Sequence, residues 1–350
     1  MKNRVLSVTP YQVGATYIGT AMGAGFATGQ EILQFFCYFG PVGTWGVALA
    51  TLLLGVFGYA VMELGRRSGA LSYRDVLNRS MGGLAGRAVD YLITFFMFGG
   101  LVSMVAGSGA LMSEQLGWQP FAGAILMTVA SAVTVLLGLR GIVDSMAFLV
   151  PLMFAAMVVF GVVSGLRTGY FLRPEVWRSP SSAVIPSWPL SAVVYASYNI
   201  VLTVAVLSPL GAALASREDA IRGATVGGAG LGAAAVATFV SVSSHLPAAA
   251  AYGVPMLFVA GAIHPLARAL YAVVVLAAIY TTAISALYGF VSRLTTPESP
   301  RGRRAAVLTS TAAVALASVG FTNVVRFLYP SVGIAGLLLM AGLARFLLRS

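Results

Sequence analysis

Glycine, hydroxyl, amide and carboxyl groups are concentrated in one apolar stretch near the N-terminus of the chain. Glycines occupy positions 19, 23, 25 and 29, and Thr28, Gln30 and Glu31 lie among or just after them. Each glycine costs a helix about 1 kcal/mol, so the stretch has two interpretations. Glycines four residues apart allow close helix packing. Alternatively, the helix is discontinuous, and its freed carbonyl and amide groups bind an ion and a solute. The polar residues favour a discontinuous helix.

Glu31 is the acidic residue of this stretch, and three roles are open for it. A carboxylate within an apolar span is costly, so we expect it to face a polar pathway or a partner. It can pair with Arg268 near the outer end of the eighth predicted helix, or act as a protonatable gate. The third role is that of a rim carboxylate that reaches water.

Polar residues cluster again in the sixth and eighth apolar runs. The cluster in the sixth run shares one depth and consists of Tyr195, Ser197, Tyr198, Asn199 and Thr203. The buried amide of Asn199 needs partners, which either a solute or a neighbouring helix supplies. The common depth favours the solute. In the eighth run Thr281 and Thr282 are adjacent, although such hydroxyls often bond to carbonyls of their own helix.

The composition indicates that helices in a lipid bilayer position these groups. Of the 350 residues, 59% are apolar and 9% are charged, and the mean hydropathy is +0.90; ordinary soluble domains are roughly 25% charged. Apolar runs of about 20 residues predict membrane-spanning helices rather than barrel strands. The single cysteine, Cys37, and two isolated histidines form no metal-binding or catalytic cluster. We therefore expect no enzyme and no cofactor beyond a coupling ion.

Apolar runs between polar breaks predict an all-α protein with ten transmembrane helices. They cover residues 11–39, 42–65, 89–116, 120–139, 142–166, 187–214, 219–243, 264–293, 304–321 and 324–347. Residues 67–88 form a polar connection with room for a short surface helix, and residues 167–186 form the longest loop. Residues 245–261, with Pro247 and Pro255, are predicted to be a re-entrant or capping segment.

The distribution of basic residues predicts the orientation. With ten spans, 16 of the 21 lysine and arginine residues fall on the side of the N-terminus. The positive-inside rule then predicts a cell-membrane protein with both termini in the cytoplasm. The same distribution explains the net charge of +11 without a nucleic-acid partner. The expected partners are the lipid bilayer and a small solute, and the sequence makes no prediction of oligomeric state.

The segment GTAMGAGFATGQEILQFF, Gly19 to Phe36, resembles the first helix of the YkvI-like membrane proteins. These are identified as amino-acid permeases of the amino acid–polyamine–organocation superfamily, and AMGAGF more distantly resembles the unwound first helix of LeuT-fold transporters. The resemblance implies one transmembrane domain, residues 1–350, built as a 5+5 inverted repeat of residues 11–166 and 187–347, with discontinuous helices one and six. It implies ion-coupled symport of an amino acid or similar small solute by alternating access.

The resemblance also implies positions for the site. The solute would contact the backbone of the break and side chains of helices three and six, namely Ala21, Gly23, Ala24, Gly25, Phe26, Met104, Ser108, Tyr195, Ser197, Tyr198, Asn199 and Thr203. A sodium ion would lie between helices one and eight, with oxygen ligands from Gly19, Met22, Ala278, Thr281 and Thr282. Glu31 and Arg268 are the candidates for gating or proton transfer.

Other functions remain open at this stage. One alternative is a proton-coupled or uncoupled exchanger or channel for another small solute, and another is a membrane-embedded sensor. Some related transporters replace the sodium ion with a lysine of helix five, but this chain has no lysine after Lys2. The sequence therefore favours sodium coupling or proton coupling through Glu31 over a lysine-based scheme.

Overall fold

The computed structural model describes residues 8–70, 72–81, 83–169, 183, 185–317 and 329–349. The regular structure of these residues is helical. The first half contains α1 (Pro10–Ala21), α2 (Ala24–Ala27), α3 (Gln30–Phe35), α4 (Gly43–Ser68), α5 (Tyr73–Ser80), α6 (Gly83–Leu116), α7 (Pro120–Leu136) and α8 (Gly138–Thr168). The second half contains α9 (Trp188–Ala212), α10 (Arg217–Ser243), α11 (Pro255–Ile263), α12 (Pro265–Leu294), α13 (Pro300–Ala315) and α14 (Tyr329–Arg349). Two 3-10 helices, Cys37–Val42 and Ala248–Ala251, complete the set.

The predicted membrane-spanning helices are confirmed as helices. Within the described residues, seven are long and apolar enough to cross a membrane. The other three predicted spans are the interrupted α1–α3, the 17-residue α7 and the 16-residue α13. The predicted surface helix in 67–88 is α5, and the predicted capping segment contains α11. Most of the predicted loop 167–186 and the boundary between the last two predicted spans lie outside the described residues.

Helices α1 and α10 run parallel and pack closely through glycines. A Cβ at Gly14 would stand 2.8 Å from Cβ of Val226, and a Cβ at Gly227 would overlap the ring of Tyr17. Both contacts advance in the same direction along the two helices. Glycine therefore lets the first helix of one half lie against the second helix of the other half.

Helices α4 and α9 form the matching parallel pair. A Cβ at Gly46 would stand 3.7 Å from the carbonyl oxygen of Trp188, and one at Gly65 would overlap the carbonyl of Ser208. Here the second helix of the first half packs on the first helix of the second half. In each pair, the first span of one half packs on the second span of the other half. This is the arrangement expected of an inverted repeat.

Helix α9 is continuous from Trp188 to Ala212, so the predicted break in helix six is wrong. The polar side chains that suggested a break bond to carbonyls of α9 itself. The Asn199 amide donates to the Tyr195 carbonyl at 2.9 Å, and the Thr203 hydroxyl donates to the Asn199 carbonyl at 2.8 Å. With no glycine before Gly211, nothing in the middle of α9 weakens the helix.

A buried carboxylate braces one end of the bundle. We call the face where α1 begins the N-terminal face and the other the opposite face. At the N-terminal face, Asp90 of α6 accepts a hydrogen bond from the Tyr73 hydroxyl of α5 at 3.1 Å. It also pairs with Arg74 at 3.4 Å and with Arg293 of α12 at 3.3 Å. This network ties three helices together.

Candidate functional site

The first span is interrupted at its centre, as the glycine cluster predicts. Helix α1 ends at Ala21, Met22 leaves the helical region with φ −78° and ψ 66°, and Gly23 is extended. The four residues of α2 follow, and Gly29 then adopts φ 81° before α3 begins. A positive φ is readily adopted only by glycine, so Gly29 sets the direction of α3.

The interruption leaves backbone groups without helical partners. The Met22 amide donates to the Ile18 carbonyl at 2.6 Å, and the Gly23 amide turns back to the Ala21 carbonyl at 2.8 Å. The last carbonyls of α1 and the first amides of α2 have no partner inside their own helices. The predicted solute-binding residues of this segment all lie here and are buried: Ala21, Gly23, Ala24, Gly25 and Phe26.

Close packing, the alternative explanation for the glycines, holds at Gly19. A Cβ there would stand 2.8 Å from Cγ2 of Val150 and 2.9 Å from Cγ of Met146, both on α8. Gly19 therefore brings α1 against α8, while the later glycines form the break. Close helix packing and a discontinuous helix therefore both occur within one glycine cluster.

The capping segment satisfies the backbone on the far side of the break. The Met256 amide at the start of α11 donates to the Thr28 carbonyl at 3.0 Å. The side-chain amide of Gln30 donates to the Tyr252 carbonyl at 2.9 Å. Residues 252–256 therefore hold the break closed from the opposite face. The two prolines of this segment suggested a cap, but nothing local in the sequence identified these hydrogen bonds.

Tyr271 of α12 is a further residue of the break that the sequence did not indicate. Its buried hydroxyl donates to the Ala27 carbonyl, the last residue of α2, at 2.9 Å. An unpaired buried carbonyl would cost about 1–3 kcal/mol. Tyr271 thus stabilises the end of α2, and its position nearly two helical turns inside α12 gave no signal of that contact.

The threonines of α12 face the break. A Cβ at Gly23 would stand 2.7 Å from Oγ1 of Thr282. The hydroxyls of Thr281 and Thr282 both donate to the Ala278 carbonyl, at 3.0 and 2.9 Å. Three of the five predicted sodium ligands are therefore adjacent, and one of them touches the break.

The chemistry of these groups fits a sodium ion. A hard cation prefers oxygen ligands, and each hydroxyl that donates its hydrogen still has lone pairs to offer. Met22 supplies a carbonyl at the end of α1, where the helix no longer uses it. The Gly19 carbonyl belongs to the same last turn of α1.

Glu31 is fully buried beside the break. A Cβ at Gly25 would overlap its carboxylate, so Glu31 folds back against α2. The Tyr198 hydroxyl faces the carboxylate. Among the described residues no backbone amide or basic side chain forms a hydrogen bond with either carboxylate oxygen. The prediction that Glu31 reaches water at the rim is wrong.

Arg268 pairs with Glu114 and not with Glu31, so that prediction is also wrong. The Arg268 guanidinium lies 2.6 Å from the Glu114 carboxylate, and both side chains are about half exposed, at 47% and 56%. Both residues lie at helix ends on the opposite face, whereas Glu31 is drawn inward along α3. A gating role for Arg268 would therefore act through Glu114.

This ion pair borders a cavity of about 570 Å³ that opens at the opposite face. Tyr252 and Leu257 of the capping segment also line the cavity. Since the same segment bonds to the backbone of the break, the cavity lies directly outside the closure. A solute entering from this face would meet residues 252–257 first.

Aromatic rings of α3, α6 and α9 pack against one another. The Tyr195 ring contacts Phe35 and Phe36 with centroids 5.3 and 4.9 Å apart, and the Tyr198 ring stacks on Phe35 at 6.3 Å. Phe96 of α6 meets Tyr198 edge-on at 6.2 Å. Two of the predicted solute residues, Tyr195 and Tyr198, thus join α9 to α3.

The remaining predicted solute residues point elsewhere or are used within their own helix. Ser197 donates to the Gly333 carbonyl of α14 at 2.7 Å, so it forms an interhelical hydrogen bond. Ser108 donates to the Val105 carbonyl at 2.8 Å and contacts the Gly123 carbonyl of α7 at 3.4 Å. Met104 lies in the apolar core. The hydroxyls of Ser197 and Ser108 are therefore used in contacts away from the break, and a solute contact by Met104 stays a prediction.

Comparison with solved structures identifies the fold. The chain matches a Na+-coupled sialic acid symporter in a substrate-bound, outward-open state, with a TM-score of 0.66, 15% identity, and coverage of 96% of this chain and 79% of that chain. It matches MhsT in complex with L-phenylalanine, with a TM-score of 0.68, 17% identity, and coverage of 94% and 87%. It also matches the nucleobase-cation-symport transporter Mhp1, with a TM-score of 0.59, 16% identity, and coverage of 91% and 75%. The fold is therefore LeuT-like.

Comparison with protein sequences identifies relatives of nearly equal length. No family model matches the chain. The protein YyaD of Bacillus subtilis (strain 168) is 29% identical over 329 residues, which cover 92% of each chain. The uncharacterized membrane protein YkvI of the same organism is 30% identical over 339 residues, which cover 95% of this chain and 94% of that one. The chain belongs to the family of the membrane protein YkvI.

Proposed function

We propose that the protein is a secondary active transporter that carries an amino acid or a similar small organic solute with a coupling ion. The observation that carries this proposal is the break at Met22 and Gly23, which is buried in the centre of the bundle and faces Thr282. Exposed carbonyls and amides at such a break offer sites for both an ion and a polar solute. The solved structures of similar fold include a Na+-coupled symporter and a complex with L-phenylalanine.

The closures on the two sides of the break support alternating access. On the opposite face, residues 252–256 cover it. On the N-terminal face, α1 is held by the Tyr17 hydroxyl, which donates to the Leu54 carbonyl of α4 at 2.6 Å. Transport then requires these two closures to open in turn. The charge distribution supports an orientation in which the N-terminal face lies on the cytoplasmic side of the cell membrane.

Sodium is the proposed coupling ion. Its ligands would be the carbonyls of Gly19, Met22 and Ala278 and the hydroxyls of Thr281 and Thr282. The contact between Thr282 and Gly23 supports this site, because it holds the α12 hydroxyls against the end of α1. The ion would hold α1 and α12 together and so favour the state that binds the solute.

Proton coupling is a second candidate, and the burial of Glu31 favours it. Burial without a positively charged partner favours the protonated, neutral form of a carboxyl group. In this scheme, Glu31 would take up a proton when the site faces outward and release it to the cytoplasm.

Uptake into proteoliposomes tests the proposal. Purified protein is reconstituted, and accumulation of a radiolabelled amino-acid panel is measured under imposed sodium or proton gradients. We expect at least one amino acid to accumulate under an inward sodium gradient and to stop when the gradient is dissipated. If no member of the panel accumulates under either gradient, amino-acid transport is wrong.

Substitution of Thr282 tests the ion. Thr282→Ala removes a proposed ligand and should weaken the apparent sodium affinity at least tenfold, whereas Thr282→Ser keeps the oxygen and should stay near the parent. Thr311→Ala, on the exposed side of α13, is the matched control. Uptake by the parent that follows the proton gradient and ignores sodium would favour the Glu31 scheme instead.

A further inference from the structure

Among the described residues, no basic side chain forms a hydrogen bond or an ion pair with the carboxylate of Glu31. The described elements with the most extensive contacts to α3 are α2, α9, α10 and the 3-10 helix Cys37–Val42. Of these, only α10 contains basic residues, Arg217 and Arg222. They lie in its first two turns, at the other end from the residues that meet α3. Since an ionised carboxylate buried without a partner is strongly disfavoured, an ionised Glu31 requires a positive charge that these elements do not supply.

The position of Glu31 makes that charge part of the solute site. The carboxylate occupies the space that Gly25 leaves open on α2. It therefore lies within the same break where the freed backbone groups are. A cation that approached Glu31 would be in contact with the proposed solute site.

The surroundings favour an organic cation over an inorganic one. Phe35 is one turn after Glu31 and shares its face of α3. Its ring packs against those of Tyr195 and Tyr198, at 5.3 and 6.3 Å between centroids. Aromatic faces attract ammonium groups, whereas sodium seeks several oxygen ligands. One carboxylate beside three aromatic rings is a recognition site for an amine.

We propose that Glu31 binds the ammonium group of the transported solute, so that the substrates are amines, with or without a carboxylate. This inference rests on the proposed transport function, since it assigns the solute to the same break. Glu31 supplies the counter-charge, and Phe35, Tyr195 and Tyr198 surround the carbon atoms next to the nitrogen. The solute's own carboxylate is dispensable, because the negative charge that the site needs is already present.

A set of three matched probes tests the inference. L-Phenylalanine carries both charged groups, phenethylamine carries only the ammonium, and hydrocinnamate carries only the carboxylate. Their binding is measured as thermal stabilisation of the purified full-length protein at neutral pH. Leucine, 3-methylbutylamine and 4-methylpentanoate form a second set with a smaller side chain. In each set, we expect the amino acid, the simple amine or both to stabilise the protein. We expect neither hydrocinnamate nor 4-methylpentanoate to do so.

Substitutions assign the effect to Glu31. Glu31→Gln should weaken amine binding at least tenfold, while Glu218→Gln, which removes a carboxylate that is 68% exposed, should leave it unchanged. If Glu31→Gln does not fold, Glu31→Asp is used; it keeps the charge but retracts it, and should weaken every amine while still rejecting the acids. The inference is overturned if the acids bind as well as the amines. It is also overturned if Glu31→Gln binds amines as the parent does, or if no amine of either set binds.

The outcomes separate this inference from the proposed function. Amine binding that depends on Glu31, without any uptake into proteoliposomes, would keep the recognition site and reject transport. Uptake of an amine-free acid would keep transport and reject the recognition site.

Discussion

The hydroxyl oxygen of Thr282 lies 2.7 Å from the position that a Cβ at Gly23 would occupy. Gly23 has φ −77° and ψ −174°, an extended conformation that any residue adopts. Glycine is therefore needed here for space and not for backbone freedom. The missing side chain lets α12 approach the end of α1, where the proposed sodium site lies.

Gly23→Ala should therefore lower sodium-driven uptake at least tenfold. The added methyl group overlaps Oγ1 of Thr282, a β-branched side chain with little room to move, so α12 must shift away from the break. Uptake in proteoliposomes and thermal stability in detergent are the measurements. Gly99→Ala is the matched control, because a Cβ there meets no atom within 4 Å.

The double variant Gly23→Ala/Thr282→Ala separates overlap from chemistry. Removing the Thr282 side chain should recover the thermal stability that Gly23→Ala loses, without recovering sodium dependence. A double variant as unstable as Gly23→Ala alone would show that the contact between these two residues is not the cause.

Tyr271→Phe should destabilise the protein by about 1 kcal/mol, because the Ala27 carbonyl loses its buried donor. Since that carbonyl ends α2, we also expect weaker solute binding. Thermal unfolding with and without solute measures both effects. Tyr91→Phe, at a side chain that is 66% exposed, should change neither; equal effects of the two substitutions would contradict the role of Tyr271.

Asp90→Asn should cost about 3 kcal/mol, the usual penalty for removing one partner of a buried ion pair. The Asp90 side chain is 7% exposed and Arg293 is 20% exposed, so the arginine would keep a charge with little water to compensate. Asp144→Asn is the matched control. Its partner Arg140 is 77% exposed and Asp144 itself is 56% exposed. Loss of this ion pair should therefore cost less than 1 kcal/mol. Similar losses of stability in the two variants would refute this assignment.

The break in the first span was predictable because its causes are local. Glycines weaken a helix wherever they occur, and the polar residues that follow them need partners at any depth. The wrong prediction for α9 has a local cause too. Asn199 and Thr203 are polar, but their side-chain donors bond to carbonyls one turn earlier in the same helix, so they need no break to find partners. Polar content alone does not distinguish these two cases; the glycines do.

The contacts across helices were not predictable in the same way. The sequence gives the depth of Glu31 and of Arg268 along their helices, but it does not give the direction in which either side chain leaves its helix. Tyr271, Met256 and Thr282 reach the break for the same reason: the packing of α11 and α12 determines which of their residues face it. These contacts depend on the three-dimensional arrangement of both halves.

One prediction distinguishes the observed pair of Arg268 with Glu114 from the pair of Arg268 with Glu31 that the sequence suggested. Ion pairs at half-exposed positions contribute about 0.2–1 kcal/mol. Arg268→Gln and Glu114→Gln should each lower stability by less than 1 kcal/mol, and the double variant by no more than the larger single effect, as a double-mutant cycle would measure. Because Arg268 does not touch Glu31, Arg268→Gln should also leave the preference for amines over acids intact, while Glu31→Gln removes it. An Arg268→Gln variant that loses this preference would place Arg268 beside Glu31 in the solute-binding state, and the closure at the opposite face would then have to rearrange when the solute binds.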